Sequence, residues 1–225
     1  RRRLSDYAQR AKLTASDAAS GDSFGRSVGI YGDTVVVGTY SKEAAYVFRT
    51  TDGGATYVEM AKLTASDAAK YAWFGISVAI AGDTVVVGAH GAGTGGAVYV
   101  FRASDGVVTY GQVAKLTASD AAAGDEFGGS VATDGQKVVV GAYDDDDAGS
   151  NSGSAYVFIT TDGGATYSQV AKLTASDAAA GDEFGTRLAI AGDTVVIGAR
   201  GAGTGGALYV FLTTDGGATY AQVAK

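Results

Sequence analysis

No cysteine and no proline occur among the 225 residues, and methionine, tryptophan and histidine occur once each. Without cysteine there is no disulfide framework, no thiolate metal site and no thiol nucleophile. Cations are the minority charge, 17 lysines and arginines against 24 acids, for a formal net charge of −7. That balance excludes a partner bound through a nucleic-acid backbone, which requires clustered cations to displace phosphate counterions. No apolar run approaches the ~20 residues that cross a bilayer as a helix. The basic start, Arg1-Arg2-Arg3, has no apolar segment after it and reads as a flexible end or a trace of processing, not a targeting signal. The absence of an initial methionine points to a mature product or a fragment of something longer.

What the chain has in abundance is glycine, at 35 positions, and repetition. One phrase starts at Phe24, Phe74, Phe127 and Phe184. Its second copy, Ser77-Val78-Ala79-Ile80 then Gly82-Asp83 then Thr84-Val85-Val86-Val87-Gly88, reads as two strands joined by a tight turn, since glycine takes positive φ at low cost. A third strand follows at Ala45–Phe48, Ala97–Phe101, Ala155–Phe158 and Ala207–Phe211. After a Thr-Thr-Asp-Gly-Gly-Ala-Thr-Tyr turn comes a fourth strand ending in Ala-Lys-Leu-Thr-Ala-Ser. Each repeat is thus one four-stranded antiparallel sheet, strands A to D.

The recurring lysines 12, 62, 115, 172 and 225 are 50, 53, 57 and 53 residues apart, while the span from the glycine closing strand B to the phenylalanine closing strand C is 10, 13, 17 and 13. The remainder is 40 in every repeat, so all length variation sits in the B–C loop. A fixed four-strand unit of this size is a β-propeller blade, not part of a sandwich. The expected fold is all-β: one propeller array over 1–225, with blades at about 17–66, 67–119, 120–176 and 177–225. Four blades form a closed ring or part of a larger or oligomeric one. Residues 1–16 carry a surplus outer strand, expected over 7–16 to complete the last blade. If it does not, open edges pair with a second copy or with further blades.

At this point the residues resemble a family. Phe-Gly-x-Ser-Val-Ala-Ile-x-Gly-Asp-Thr-Val-Val-Val-Gly-Ala, followed by Gly-Ala-Val-Tyr-Val-Phe, is similar to the FG-GAP repeat of integrin-α-type propellers, and the likeness recurs four times in phase. It implies an extracellular or cell-surface propeller used for adhesion or recognition, often with calcium in its loops. The chain departs from the integrin pattern in its A–B connection, which is only Ala-Gly-Asp or similar, so integrin calcium sites do not carry over. The C–D turn resembles the Asp-box of sialidase-type propellers with tyrosine in place of tryptophan; Asp52, Asp105, Asp162 and Asp215 are its carboxylates, and their expected role is structural.

The B–C loops and the D–A connections share one face of an up-and-down blade array, where function is expected. There the second repeat replaces small polar residues with Lys70-Tyr71-Ala72-Trp73. Tyr71, Trp73, His90, Tyr143 and Arg200 are the candidate ligand or partner residues, with packing between blades as the competing account of the aromatic rings. His90 alone makes no histidine metal site and reads as a solvated loop residue. Asp144, Asp145, Asp146, Asp147 and Asn151 are candidate calcium ligands by oxygen content, although their spacing is not that of a strict calcium loop; a solvated turn is the other reading. The acid pairs Asp17/Asp22, Asp120/Asp125 and Asp177/Asp182 read as a first aspartate capping the turn and a second preceding the strand.

Arg26, Arg49, Arg102, Arg187 and Arg200 fall at different repeat positions, which speaks against a catalytic arginine cluster. The expected function is a non-catalytic extracellular or cell-surface module for recognition, adhesion or structural assembly, with a protein or glycan partner, self-association through an open edge, and no nucleic acid or membrane span. The alternative is a glycan-acting, sialidase-like enzyme fragment. Three arginines in one pocket favour the enzyme, whereas a flat, acidic face favours binding.

Overall fold

A computed structural model describes residues 9–104 and 109–225. Among them sixteen strands form four separate antiparallel sheets, each with its strands in chain order. Blade 1 contains β1 (Ser27–Tyr31), β2 (Thr34–Thr39), β3 (Ala44–Arg49) and β4 (Val58–Leu63). Blade 2 contains β5 (Ser77–Ala81), β6 (Thr84–Ala89), β7 (Ala97–Ala103) and β8 (Tyr110–Leu116). Blade 3 contains β9 (Ser130–Thr133), β10 (Lys137–Ala142), β11 (Ser154–Ile159) and β12 (Ser168–Leu173). Blade 4 contains β13 (Phe184–Ala191), β14 (Thr194–Ala199), β15 (Ala207–Leu212) and β16 (Ala221–Ala224). No helix long and apolar enough to cross a membrane occurs among the described residues.

The β-branched runs of the second strands form the middle of each sheet because alternate valines can be buried on both of its faces. Gly32, Gly82 and Gly192 open the A–B turns with φ of 54°, 57° and 56°, the positive values a two-residue primed turn needs. Every C–D pairing slips register at one place, between Val47 and Phe48, Val100 and Phe101, Val157 and Phe158, and Val210 and Phe211. This recurrent bulge increases the local twist of the outer strand.

The core lies between blades. Phe74, Tyr99 and Phe101 of blade 2 pack with Val36, Ala45 and Val47 of blade 1. The same arrangement joins blade 3 to blade 2 through Phe127, Tyr156 and Phe158 against Val86, Val98 and Val100. It joins blade 4 to blade 3 through Phe184, Tyr209 and Phe211 against Val139, Ala155 and Val157. Each blade therefore has an aromatic face and an aliphatic face, and a neighbour is needed to bury either.

The N-terminal segment differs from its expected place. Residues 9–16 form no strand, and blade 4 is completed by its own β16, paired to β15. A strand that follows its partner by one short turn closes a far smaller loop than one from the other end of the chain. Leu13 and Ala15 instead pack on blade 1, with Tyr46, Phe48 and Phe24.

Candidate functional site

The D–A connections are built by their acid pairs, with roles opposite to those expected. The first aspartate reaches between strands: Asp17 Oδ1 accepts from Tyr46 Oη at 2.7 Å and Asp17 Oδ2 from Lys62 Nζ at 2.7 Å. The Lys62 ammonium and then the Tyr46 hydroxyl hold the Asp17 carboxyl well below the usual carboxylate range. The second aspartate caps the turn, since Asp22, Asp125 and Asp182 accept the N–H of Ala19, Ala122 and Ala179 at 2.6, 2.7 and 2.9 Å. The first aspartate is nearer in sequence, two residues from that N–H against three, but its oxygens are taken by tyrosine and lysine, which leaves the backbone bond to the second.

The B–C loops lie against these connections, on one face as the strand order requires. Gly91 N–H donates to the Ala72 carbonyl, Gly181 to Ser150, and Gly201 to Asp182. In blade 2 the connection carries its aromatic exchange in strained backbone. Tyr71 has φ 67° where the other blades place Gly21, Gly124 and Gly181, while Trp73, at φ 58°, keeps the left-handed backbone that Ser23, Glu126 and Glu183 adopt at the same repeat position. A bulky side chain in the left-handed region costs ~1–2 kcal/mol. Tyr71 remains 68% exposed, with Lys70 Nζ 4.8 Å from its ring centroid.

Trp73 stacks on His90, ring centroids 4.5 Å apart, and on Tyr40 of blade 1 at 5.9 Å. His90 is therefore no solvated loop residue. Its side chain is 6% exposed, its Nδ1 lies 2.8 Å from Glu126 Oε2, and its Nε2 is buried with no hydrogen-bond partner. Tyr143 donates its hydroxyl to the same Glu126 oxygen. These groups border an open depression of about 780 Å³ whose lining includes Trp73, His90, Tyr143 and three arginines, Arg26, Arg187 and Arg200. Tyr71, Trp73, His90 and Glu126 line a smaller cavity beside it.

Four of the five candidate face residues thus line the larger depression, and Tyr71 lines the smaller cavity that shares Trp73 and His90 with it. The arginines are what sequence reasoning missed, although Arg26 and Arg187 stand two and three residues after equivalent phenylalanines, both at the entry to strand A. Each is steadied locally: the Arg26 guanidinium sits 5.7 Å from the Tyr40 ring centroid, Arg187 Nη1 donates to the Thr186 carbonyl at 2.7 Å, and Arg200 Nη2 pairs with Glu183 Oε2 at 2.5 Å. No carboxylate is among the residues lining the larger depression. It is a cationic and aromatic surface that can receive an anion by charge-assisted hydrogen bonds and the body of a ligand by stacking.

The tetra-aspartate loop is organised differently. Asp145 is buried and accepts from Ser154 Oγ at 3.0 Å and Tyr156 Oη at 2.8 Å, and Lys172 Nζ lies 3.2 Å from its Oδ2. Lys172 also pairs with Asp147 and Asp120. Asp144 Oδ1 accepts from Asn151 Nδ2 at 2.6 Å, and Asp146 Oδ1 from Asn151 N–H at 2.7 Å. Asp144 and Asp146 thus share Asn151 while Asp145 and Asp147 share Lys172, and no group of three acids or histidines able to hold a metal occurs among the described residues. The Lys172 side chain already pairs with Asp145 and Asp147, so the loop's carboxylates do not converge as a calcium site requires.

The C–D turns are closed by their own side chains. Asp52 Oδ1 accepts from Thr50 Oγ1 at 2.8 Å and Thr56 N–H at 2.9 Å, and Asp52 Oδ2 from Thr56 Oγ1 at 2.6 Å. Asp162 and Asp215 repeat the pattern with Thr160 and Thr166, and with Thr213 and Thr219. Asp105 lies outside the described residues.

Comparison with known proteins agrees with this architecture. No curated relative matches the chain by sequence. Among solved structures, the computationally designed Ika4 protein is similar at 18% identity and a TM-score of 0.54, over 92% of this chain and 98% of that one. Sqt1 of Saccharomyces cerevisiae is similar at 12% identity and a TM-score of 0.48, over 79% of this chain and 42% of that one. The family model of the FG-GAP repeat matches residues 7–58, 57–101, 110–158 and 167–211, and four equivalent sheets joined by the same Phe-Gly entry account for every match. The chain belongs to the FG-GAP repeat family.

Proposed function

We propose that the protein is a non-catalytic recognition and assembly module, working outside the cell or at its surface, whose loop face holds an anionic partner. The partner is a glycan or a protein surface that presents carboxylate groups. The observation that carries this reading is Tyr71 and Trp73, two aromatic rings kept at positive φ beside a depression rimmed by Arg26, Arg187 and Arg200. Tyr71, 68% exposed, stands in a left-handed position that is glycine in the other blades, and strain without burial marks a place where the side chain is wanted for contact. An exposed ring next to arginine suits a ligand with both a charge and an apolar body. The FG-GAP repeat supports an extracellular setting, and the uncovered end faces of the array supply the assembly half of the reading, including self-association.

The three arginines also favour the second reading, a glycan-acting enzyme, because they meet the pocket criterion that the sequence alone did not. Against it stands the lining itself, which offers no carboxylic acid to protonate a leaving group, while Glu126 is already engaged by His90 and Tyr143. One experiment separates the two. Calorimetry with a sialylated oligosaccharide and its neutral counterpart, followed by product analysis, should give binding to the acidic sugar alone, no released monosaccharide, and loss of the heat in Arg200→Ala. Release of sugar establishes the enzyme; equal heats for both sugars remove the anion site.

A further inference from the structure

Among the described residues, the aromatic face of blade 1 is covered by Leu13 and Ala15 near Tyr46 and Phe48 but open at strand A. The aliphatic face of blade 4 is open, and the two are the halves of an interface the chain already makes three times. On the aromatic side, Ile30 of blade 1 is 69% exposed, whereas its equivalent Ile80 is 8% exposed under the aliphatic face of blade 1. On the aliphatic side, Leu208 of blade 4 is 56% exposed, whereas its equivalent Val98 is fully buried against blade 3.

Glycine shows how closely the halves fit. A Cβ on Gly38, Gly88 or Gly141 would lie 2.1, 2.0 or 2.0 Å from the carbonyl oxygen of Gly75, Gly128 or Gly185 in the next blade. Ser27, Ser77 and Ser130 donate to those same carbonyls at 2.8, 2.7 and 2.6 Å. The fourth glycine of this set, Gly198, meets no neighbouring blade: the nearest atom to a Cβ there is Arg187 Cβ at 3.7 Å. The fourth carbonyl of the set belongs to Gly25, around whose Cβ position nothing lies within 4 Å. The chain thus carries a vacant socket at one end and the group that fills such sockets at the other. The departure is Arg187 in the serine's place, and its guanidinium can donate to a carbonyl as the hydroxyl does.

We propose that a second copy of this chain docks head to tail on these faces, the aliphatic face of blade 4 in one copy covering the aromatic face of blade 1 in the next. The contact continues the established blade register, with Gly198 against the partner's Gly25 carbonyl. It rests on the assembly half of the function above, and because Arg187, Gly198 and Leu208 also line the depression, a docked copy borders the anion site. A head-to-tail contact closes into a ring when the rotation allows and otherwise extends into a fibre.

Sedimentation of the full chain over a concentration series tests this. The wild type should show species heavier than the 22.4 kDa chain that dissociate on dilution. Gly198→Ala should fold with unchanged or raised melting temperature, because a methyl group has room within the chain, yet lose the association. Ile30→Asp should weaken it by ~100-fold or more, as an unpaired charge would be buried. Mixing Gly198→Ala with Ile30→Asp leaves one good face of each kind and should restore a species of two copies that grows no further. A wild type that is monomeric at every concentration overturns the proposal, as by blade 1 and blade 4 closing on each other within one chain or awaiting other blades. A Gly198→Ala chain that associates as the wild type does overturns it too. The anion site is read separately, by sugar binding to the Ile30→Asp chain, whose substitution lies outside the depression, so the two failures are distinguishable.

Discussion

Tyr99 donates its hydroxyl to Asp67 Oδ1 at 2.8 Å, joining residues 32 positions apart. Lys115 Nζ holds the other oxygen at 2.5 Å. The same triangle ties Asp17 to Tyr46 and Lys62, Asp120 to Tyr156 and Lys172, and Asp177 to Tyr209 and Lys225. In each, the connection entering one blade is fastened to that blade's third and fourth strands. Removing one hydroxyl, in Tyr99→Phe, should lower stability by about 1 kcal/mol, measured by urea unfolding; an unchanged midpoint would show that the triangle is idle.

The blade interface predicts a contrast between two equivalent phenylalanines. Phe127 is fully buried between blades 2 and 3, so Phe127→Ala should cost about 3–5 kcal/mol. Phe24 occupies the same repeat position on blade 1 but is only half-buried, beside Leu13 and Ala15, so Phe24→Ala should cost roughly 1–2 kcal/mol. Equal losses would mean that blade 1 is covered like the others.

Acid should unfold the protein through its C–D turns. The Thr56 hydroxyl, then the Thr56 N–H, hold the Asp52 carboxyl well below the usual range, and Thr166 and Thr219 do so for Asp162 and Asp215. A lowered folded pKa gives stability that is complete above the unfolded value, about 4, and is lost as pH falls below it. The melting temperature should therefore decline below about pH 4, and less steeply in Asp52→Asn/Asp162→Asn/Asp215→Asn, which starts lower at neutral pH. At the other extreme, burial pushes Tyr220 up to about 12. The unfolded chain ionises it first, so stability should also fall from about pH 10 upward.

Much of this architecture was legible because its signals are periodic. The valine runs, the Gly-Asp turns and the constant remainder of 40 residues each constrain the same four-strand unit, and repetition averages out local ambiguity. The fate of residues 9–16 was not legible: the sequence over 7–16, of which Tyr7 and Ala8 lie outside the described residues, fits a fourth strand wherever one is missing, and only the presence of β16 on blade 4 decides against it. The face residues Tyr71 and Trp73 were visible as exceptions to a repeat. Arg26 and Arg187 were not, because the depression gathers side chains from all four blades, far apart in the chain, and no spacing encodes that proximity. His90 was misjudged for a related reason, since its partners Trp73 and Glu126 come from other connections.

Calcium should have no effect on the tetra-aspartate loop. Lys172 already pairs with Asp145 and Asp147, and Asn151 links Asp144 to Asp146. Melting curves with millimolar calcium and with chelator should superimpose; a shift that disappears in Asp146→Ala would assign an ion to the loop after all.

The strain at Tyr71 is also measurable. Tyr71→Gly restores the residue that the other blades use at this position and should raise stability by about 1 kcal/mol, while weakening partner binding. A destabilised Tyr71→Gly chain would show that the ring is held for packing.

The central claim, that the loop face holds an anionic partner beside its aromatic residues, is tested most directly by the chain's one tryptophan. Trp73 lies on the rim of the depression, so its fluorescence reports occupancy without any label. Titration with a sialylated oligosaccharide should change the emission saturably, the change should be absent with the neutral sugar, and it should vanish in Arg200→Ala. Emission that stays constant throughout the acidic titration would contradict the account.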